Sequence, residues 1–195
     1  MKTKLLVSFS GGETSAFLAK WLIDKKQDIY DMIFIFANTG DEEEETLIFI
    51  EKCSKEWGIS IVWVEAVVHH NERVGSTHKE VDFKTASRNR EPFKEVIKKY
   101  GIPNQNFLHC NREMKLAPIK SYIKSIGWKK YETAIGIRVD EFDRMNKHKD
   151  KLGLIYPLIK DNPTTKQEVS YWWDNQKFRL KLKSYNTDCR TCWKK

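Results

Sequence analysis

Three apolar residues, Leu5-Leu6-Val7, run into Ser8-Phe9-Ser10-Gly11-Gly12-Glu13-Thr14-Ser15, and from Ala16 the apolar residues recur at helical spacing through Ile23. A strand is therefore handed to a helix through paired glycines. Such a pair lets the backbone turn sharply and approach a ligand without side-chain collision. The first N–H groups of the helix, with the hydroxyls of Ser10, Thr14 and Ser15, then supply donors for an anion, of which phosphate is the natural example. The same residues also read as a plain turn with a serine or threonine N-cap. Two glycines alone do not separate these readings.

The alternation continues. Met32-Ile33-Phe34-Ile35-Phe36-Ala37 is an unbroken apolar run of strand length, ending in Asn38-Thr39-Gly40. An acidic cluster, Asp41 to Glu45, leads into a helical stretch ending near Cys53, and the helix dipole accounts for acidic residues in a first turn. A third strand is expected over Ile59–Val64. Strand, helix, strand, helix, strand predicts an α/β fold with a doubly wound, mostly parallel sheet, in which ligands bind beyond the carboxyl ends of the strands. The loops at Ser10 and Thr39 both follow such ends. A length of 195 residues suits a single domain, 1–195.

Between residues 69 and 103 the periodicity fades and polar residues dominate, which predicts an insertion or lid outside the sheet. Its histidines, His69, His70 and His78, lack a carboxylate or cysteine at ligand spacing and read as locally hydrogen-bonded or exposed. A helix is expected to run to Gly127 as its C-cap, followed by a strand over Tyr131–Ile137 that delivers Arg138, Asp140, Glu141 and Arg144. Thr165 and Glu168 have the spacing of a capping box. Trp172 and Trp173 read as packing residues, and Cys53, on an apolar helix face, as core.

The net charge of +8 suits nucleotide phosphates or a polyanion, and the basic residues thicken in the tail, 177–195. The opening residues are too short an apolar run for a signal peptide and no stretch approaches membrane-spanning length, so a cytoplasmic protein with no membrane partner is expected. Four cysteines in that compartment are not a disulfide framework. Cys189-Arg190-Thr191-Cys192 is a good but incomplete chelate. With Cys110 as a third ligand it suits a 4Fe–4S cluster with an open iron, or Zn²⁺ with His109 or water; a reversible dithiol and an inert tail are the other readings.

Ser10-Gly11-Gly12-Glu13-Thr14-Ser15 resembles the pyrophosphate-binding loop of the PP-loop ATP-pyrophosphatase superfamily, which includes the phosphoadenosine phosphosulfate (PAPS) reductases. It is not a Walker A loop, since no Gly-Lys-Ser/Thr follows. Most members carry aspartate at the position of Thr14, a departure that bears on metal binding by the loop and not on the phosphate cradle. Phe36-Ala37-Asn38-Thr39-Gly40 resembles the segment that lies against adenosine. Ala86-Ser87-Arg88-Asn89 resembles a hallmark of short, phage-type PAPS-reductase-like proteins, in which Arg90 stands where relatives usually have glycine. Cys110 and Lys115 match the family's Cys-Thr-x-x-Leu-Lys segment, Gly136-Ile137-Arg138-Val139-Asp140-Glu141 with Arg144 matches its phosphate-facing pattern, and Asp188-Cys189-Arg190-Thr191-Cys192 matches the Asn-Cys-x-x-Cys tail.

The resemblance, nearly end to end, implies an adenine nucleotide alpha hydrolase-like fold with a polar insertion and a cysteine-containing tail. It implies a nucleotide, ATP or a relative, bound by Ser8, Ser10, Gly11, Gly12, Thr14, Ser15, Asn38, Thr39, Gly40, Arg88, Gly136, Asp140 and Glu141. Arg138, Arg144 and Lys115 would stabilise developing charge. Asp140 and Glu141 would orient the arginines or hold Mg²⁺ with the phosphates. The implied activity is cleavage of the α–β phosphate bond of ATP, adenylylating an acceptor with or without sulfur transfer, or action on a sulfonucleotide, hence a transferase or an oxidoreductase. The Glu-Cys-Gly-x-His segment of thiol-dependent PAPS reductases is missing, which favours adenylylation or sulfur transfer. The acceptor is open, nucleic acid included, as is homodimer formation, and a phage-encoded member would work in the host cytoplasm. A catalytically silent nucleotide- or nucleic-acid-binding module is the alternative.

Overall fold

The computed structural model describes residues 2–71, 73–104, 106 and 109–182. Six strands pair in the order β4-β3-β2-β1-β5-β6, in a mostly parallel sheet. They are β1 (Thr3–Ser8), β2 (Tyr30–Asn38), β3 (Ile61–Val67), β4 (Thr77–Val81), β5 (Glu132–Ala134) and β6 (Leu154–Ile155). The helices are α1 (Glu13–Lys26), α2 (Glu44–Trp57), α3 (Glu91–Tyr100), α4 (His109–Asn111), α5 (Ala117–Ser125), α6 (Lys149–Leu152), α7 (Pro157–Lys160) and α8 (Lys166–Asp174). A π-helical turn, Arg112–Leu116, precedes α5, and a 3₁₀ segment, Val139–Arg144, follows β5. This is the α/β architecture that the alternating pattern predicts. Among the described residues no helix is long and apolar enough to cross a membrane.

The chain divides into two compact units. The described residues of Met1–Phe34, Phe49–Ile61 and Lys130–Lys181 form the first; those of Ile35–Ile48, Val62–Lys129 and Leu182–Lys195 form the second. In the first, β1 pairs in parallel with β5, Leu5 opposite Glu132 and Val7 opposite Ala134, and β5 in parallel with β6. Leu5, Leu6 and Val7 are buried, as are Ala16, Leu18, Ala19 and Leu22 of α1. The capping box starts α8: Thr165 Oγ1 accepts from the Glu168 N–H while the Glu168 carboxylate accepts from the Thr165 N–H. That places Trp173 against Phe49 at 5.0 Å between ring centroids, where its indole N–H donates to the Glu13 carbonyl at 3.0 Å. Cys53 is fully buried, and burial pushes its thiol pKa up.

In the second unit, β3 pairs antiparallel with β4, Trp63 opposite Val81 and Glu65 opposite Lys79. The expectation that 69–103 lies outside the sheet is corrected here, because Thr77–Val81 is a strand of it. Its residues are mostly polar and exposed, as suits a sheet edge, and so lack strand periodicity. Of the histidines only His69 bonds close by, to Thr77; His70 reaches Glu95 and His78 reaches Ser121, partners distant in sequence. A second correction concerns the acidic cluster. The helix begins only at Glu44, while Asp41 and Glu42 lie before it and are buried at 0% and 3% exposure, where a helix dipole does not explain them.

Candidate functional site

In the first unit the chain leaves β1 at the half-buried Ser8, buries Phe9, and turns at Gly11 with φ +90°, a left-handed conformation suited to glycine. Gly12 is the N-cap of α1 and no side chain caps that helix start. The two serines instead close the turn on itself. Ser15 Oγ accepts from the Ser10 N–H at 3.1 Å and the Ser10 hydroxyl at 3.0 Å, and donates to the Gly12 carbonyl at 2.9 Å. The first-turn amides of a fourteen-residue helix are thus presented by a rigid loop, a geometry that attracts anions.

Gly136, two residues past the end of β5, supports that loop. A Cβ there would stand 3.2 Å from Ser15 Cα and 3.4 Å from Ser15 N and Thr14 O, so glycine lets the backbones approach. Two residues on, Arg138 Nη1 donates to Thr14 Oγ1 at 2.7 Å, fixing a guanidinium beside the helix start. Asp140 accepts from Arg138 Nε at 3.1 Å, and Glu141 stands 3.2 Å from Arg138 Nη1 and pairs also with Arg144. The bond from Arg138 is the main influence holding the Asp140 carboxyl below its usual range. Arg138 is nearly enclosed, its side chain 13% exposed, whereas that of Arg144 is 63% exposed. Glu13 receives both Nε and Nη2 of Arg179 at 2.9 Å, a fork that ties residues after α8 to the start of α1.

The second unit gathers the other expected residues around buried charge. Asn38, at the end of β2, donates to Glu65 at 2.6 Å and the Ser87 carbonyl at 2.9 Å. Glu65 also accepts from the Ser87 N–H at 2.6 Å and its hydroxyl at 3.1 Å, and pairs with Lys79 at 2.9 Å. Thr39 gives its N–H and hydroxyl to Glu42. Burial is the main influence on Glu42 and pushes its carboxyl pKa up, with the Lys115 charge and the Thr39 bonds pulling it partly back. Gly40 has φ +77°, and a Cβ there would meet Pro92 Cδ at 3.0 Å. Arg90, at φ +66°, pairs with buried Asp41 at 2.6 Å. An arginine is held in a left-handed conformation where glycine is the residue at ease.

Arg88, expected to contact phosphate, forks onto Glu44 at 2.7 and 3.1 Å and donates to the carbonyls of Ala86 and Phe83. Lys115 lies in the π-helical turn, closed by the Ala117 N–H to the Arg112 carbonyl, five residues back. The buried pairs Glu113/Met114, Pro118/Ile119 and Tyr122/Ile123 record the wide turn as a spacing of five and then four. Such closure brings residues five apart nearer one face than an α-turn would; Cys110, in α4 before the turn, and Lys115, within it, are both half-buried. Glu113 anchors the turn by accepting from the Ser76 N–H at 2.9 Å and hydroxyl at 3.0 Å. Burial opposes its ionisation, but bonds from Ser76, Arg112 and Tyr100 prevail and hold its pKa down. Glu65, Glu42, Asp41 and Glu113 are not among the residues the sequence nominates for the site. A glutamate inside the run Trp63-Val64-Glu65-Ala66-Val67 is the available signal, since carboxylates are rarely fully buried without partners.

Among the described residues no three His, Cys, Asp or Glu side chains gather as a metal centre. Cys189 and Cys192 lie outside the described residues, so the expected three-cysteine site is represented only by Cys110.

Residues 4–151 match the family model described as the phosphoadenosine phosphosulfate reductase domain. An uncharacterized nin region protein of Escherichia phage lambda is 32% identical over 97% of the chain, and the chain spans 66% of that protein. An uncharacterized protein of Methanocaldococcus jannaschii is 28% identical over 68% of the chain, which spans 24% of it. Among solved structures, the U34-tRNA thiolase NcsA of Methanococcus maripaludis, with its 4Fe–4S cluster, aligns with TM-score 0.52 and 19% identity, covering 95% of this chain and 62% of the thiolase. That likeness is one of fold.

Proposed function

The chain belongs to the phosphoadenosine phosphosulfate reductase domain family, and from that premise we propose that it binds an adenine nucleotide with the phosphates on the turn Ser10–Ser15 and cleaves the α–β phosphate bond of ATP. The observation that carries this reading is the start of α1, which no side chain caps, with Arg138 fixed beside it through Thr14. In the reaction, an acceptor oxygen bonds the α-phosphorus and the bond to the bridging oxygen breaks. Pyrophosphate leaves with the electron pair and the acceptor proton goes to solvent. Negative charge then grows on the leaving group, where helix amides and a held guanidinium stabilise it. Arg138 is the nearer contributor and Arg144, more exposed, the outer one. Asp140 and Glu141 face arginines, so their role here is to orient them.

Mg²⁺ fits this donor set as an ion brought by the nucleotide, because the carboxylates of the loop are turned to guanidinium groups. It would neutralise phosphate charge. In the second unit, Arg88 and Arg90 act as braces of the loop after β2, and Lys115 is the cation available beside Glu42. Cys110 remains the proposed anchor of a metal or cluster shared with Cys189 and Cys192.

Competition calorimetry tests the reading without an acceptor. Pyrophosphate should displace ATP, and AMP should do so far more weakly, because the phosphates carry the binding. Displacement by AMP with none by pyrophosphate would sink the assignment. The Thr14–Arg138 bond also suits a silent nucleotide-binding module, since it occupies the loop position where relatives carry a carboxylate. Product analysis with candidate acceptors separates the two: pyrophosphate with an adenylylated acceptor, or with AMP where water is the acceptor, marks the enzyme, and unchanged ATP the module.

A further inference from the structure

A groove of about 550 Å³ opens in the first unit between α1 and α8, lined by Phe17, Tyr171 and Trp172 together with Asn162, Gln167 and Asn175; the Asn162 and Asn175 amides each spend one donor, on Thr164 Oγ1 and the Tyr171 carbonyl respectively. Phe17 and Trp172 meet edge to face at 5.3 Å, so the aromatic wall is stiff. Tyr171 is 74% exposed, a large ring on the solvent side of a helix whose buried face is Val169 and Trp173. Rings beside amide groups are the chemistry that receives a nucleobase: any base has a π-face to stack, and amides pair with its edges. Glu168 also borders the groove, but its carboxylate is turned to Thr165 in the capping box. The groove is joined to the loop bearing Arg138, because the Val139 N–H donates to the carbonyl of Thr164, another of its lining residues.

That same loop continues into an exposed stretch in which Arg144, Lys147, Lys149 and Lys151 outnumber Asp143 and Asp150, and which opens with Phe142, 66% exposed. Cations alternating along an exposed segment follow a phosphate backbone, and an exposed ring beside them adds a second stacking surface. We propose that the acceptor is a single-stranded polynucleotide, with an unpaired base in the α1–α8 groove on Tyr171 and its phosphates along Arg144–Lys151. The assignment of the acceptor rests on the ATP reading above; the binding itself does not.

The test is fluorescence anisotropy with a labelled single-stranded oligonucleotide of mixed sequence, over a salt series, with ATP calorimetry on the same proteins. Wild type should bind the single strand at least tenfold more tightly than a blunt duplex of the same length. Tyr171→Ala should weaken it about 5- to 150-fold, the range for losing one stacked base, and Tyr171→Phe should restore it. Replacing Lys147, Lys149 and Lys151 together by alanine should flatten the salt dependence, by about 0.7 in slope for each phosphate no longer neutralised. ATP affinity should be unchanged in these variants. Equal binding by Tyr171→Ala and wild type, equal binding of duplex and single strand, or no binding at low salt each overturns the proposal. If wild type binds the oligonucleotide in this manner and fails to bind ATP, the ATP reading falls and the groove assignment stands.

Discussion

The two units solve different problems with the same kind of loop. After β1, charge is provided by backbone amides at a helix start and by Arg138, with the carboxylates Asp140 and Glu141 toward the surface. After β2, the carboxylates Asp41, Glu42 and Glu65 are themselves buried, and arginine, lysine, asparagine and threonine converge to satisfy them. The first arrangement is open to an anion. The second turns its polar groups inward, fixing the shape of the Thr39 and Ser87 loops. Stability should therefore concentrate in the second cluster and ligand chemistry in the first.

Glu65→Ala should be the most damaging change. It strands the buried Asn38 amide and the Ser87 N–H, each costing about 1–3 kcal/mol when left unsatisfied and read by urea denaturation, while the half-exposed Lys79 returns to water. Arg144→Ala, which breaks a surface pair, should cost about 1 kcal/mol or less in the same assay. Comparable losses would erase the distinction between the clusters. Arg138→Ala should lose less stability than Glu65→Ala, since Asp140 is 39% exposed and Glu141 keeps Arg144, but pyrophosphate release should slow by about 10²–10³, the scale for one donor to transition-state charge. Unaltered turnover would remove Arg138 from the chemistry.

Arg90 allows a finer cut. Arg90→Ala and Arg90→Gly both lose the pair with Asp41, but only glycine is at ease at φ +66°. The glycine variant should therefore be the more stable of the two by about 1 kcal/mol. Equal stabilities would mean that the left-handed backbone carries no strain. The smallest effects concern pH. The Glu42 carboxyl is raised by burial, so its contribution to stability is present below 4.5, its ordinary value, and is lost as pH rises through the higher folded value. Glu42→Gln should gain on wild type over that rise. Glu113 is held low, so its contribution is present above the ordinary value and is lost as pH falls through the folded one. Glu113→Gln should flatten that acid limb, and slopes of the same sign in both comparisons would contradict the assignment.

The contrast also explains what can be read in advance. The loop at Ser10 is legible because its chemistry is local: Ser10 and Ser15 bond each other within one turn, and a strand, two glycines and a helix lie in consecutive residues. The buried network is not, because its partners are distant in sequence: Asn38 meets Glu65, Asp41 meets Arg90 and Ser76 meets Glu113. Asp41 and Glu42 pass for helix-start residues for the same reason, since nothing nearby in sequence announces the cations that accompany them. β4 escapes notice because an edge strand rich in Lys, Glu and His carries no apolar alternation. Arg88 shows the converse: its residue type suggests phosphate, while its geometry serves Glu44 and two carbonyls.

The central claim is that the turn into α1 holds the nucleotide phosphates, and titration calorimetry of ATP into wild type and Gly11→Leu tests it most directly. A side chain at φ +90° disturbs the turn and crowds the phosphate position. With far-ultraviolet circular dichroism confirming a folded variant, ATP binding should be abolished by the substitution. An affinity equal to that of wild type in the folded variant would contradict the account.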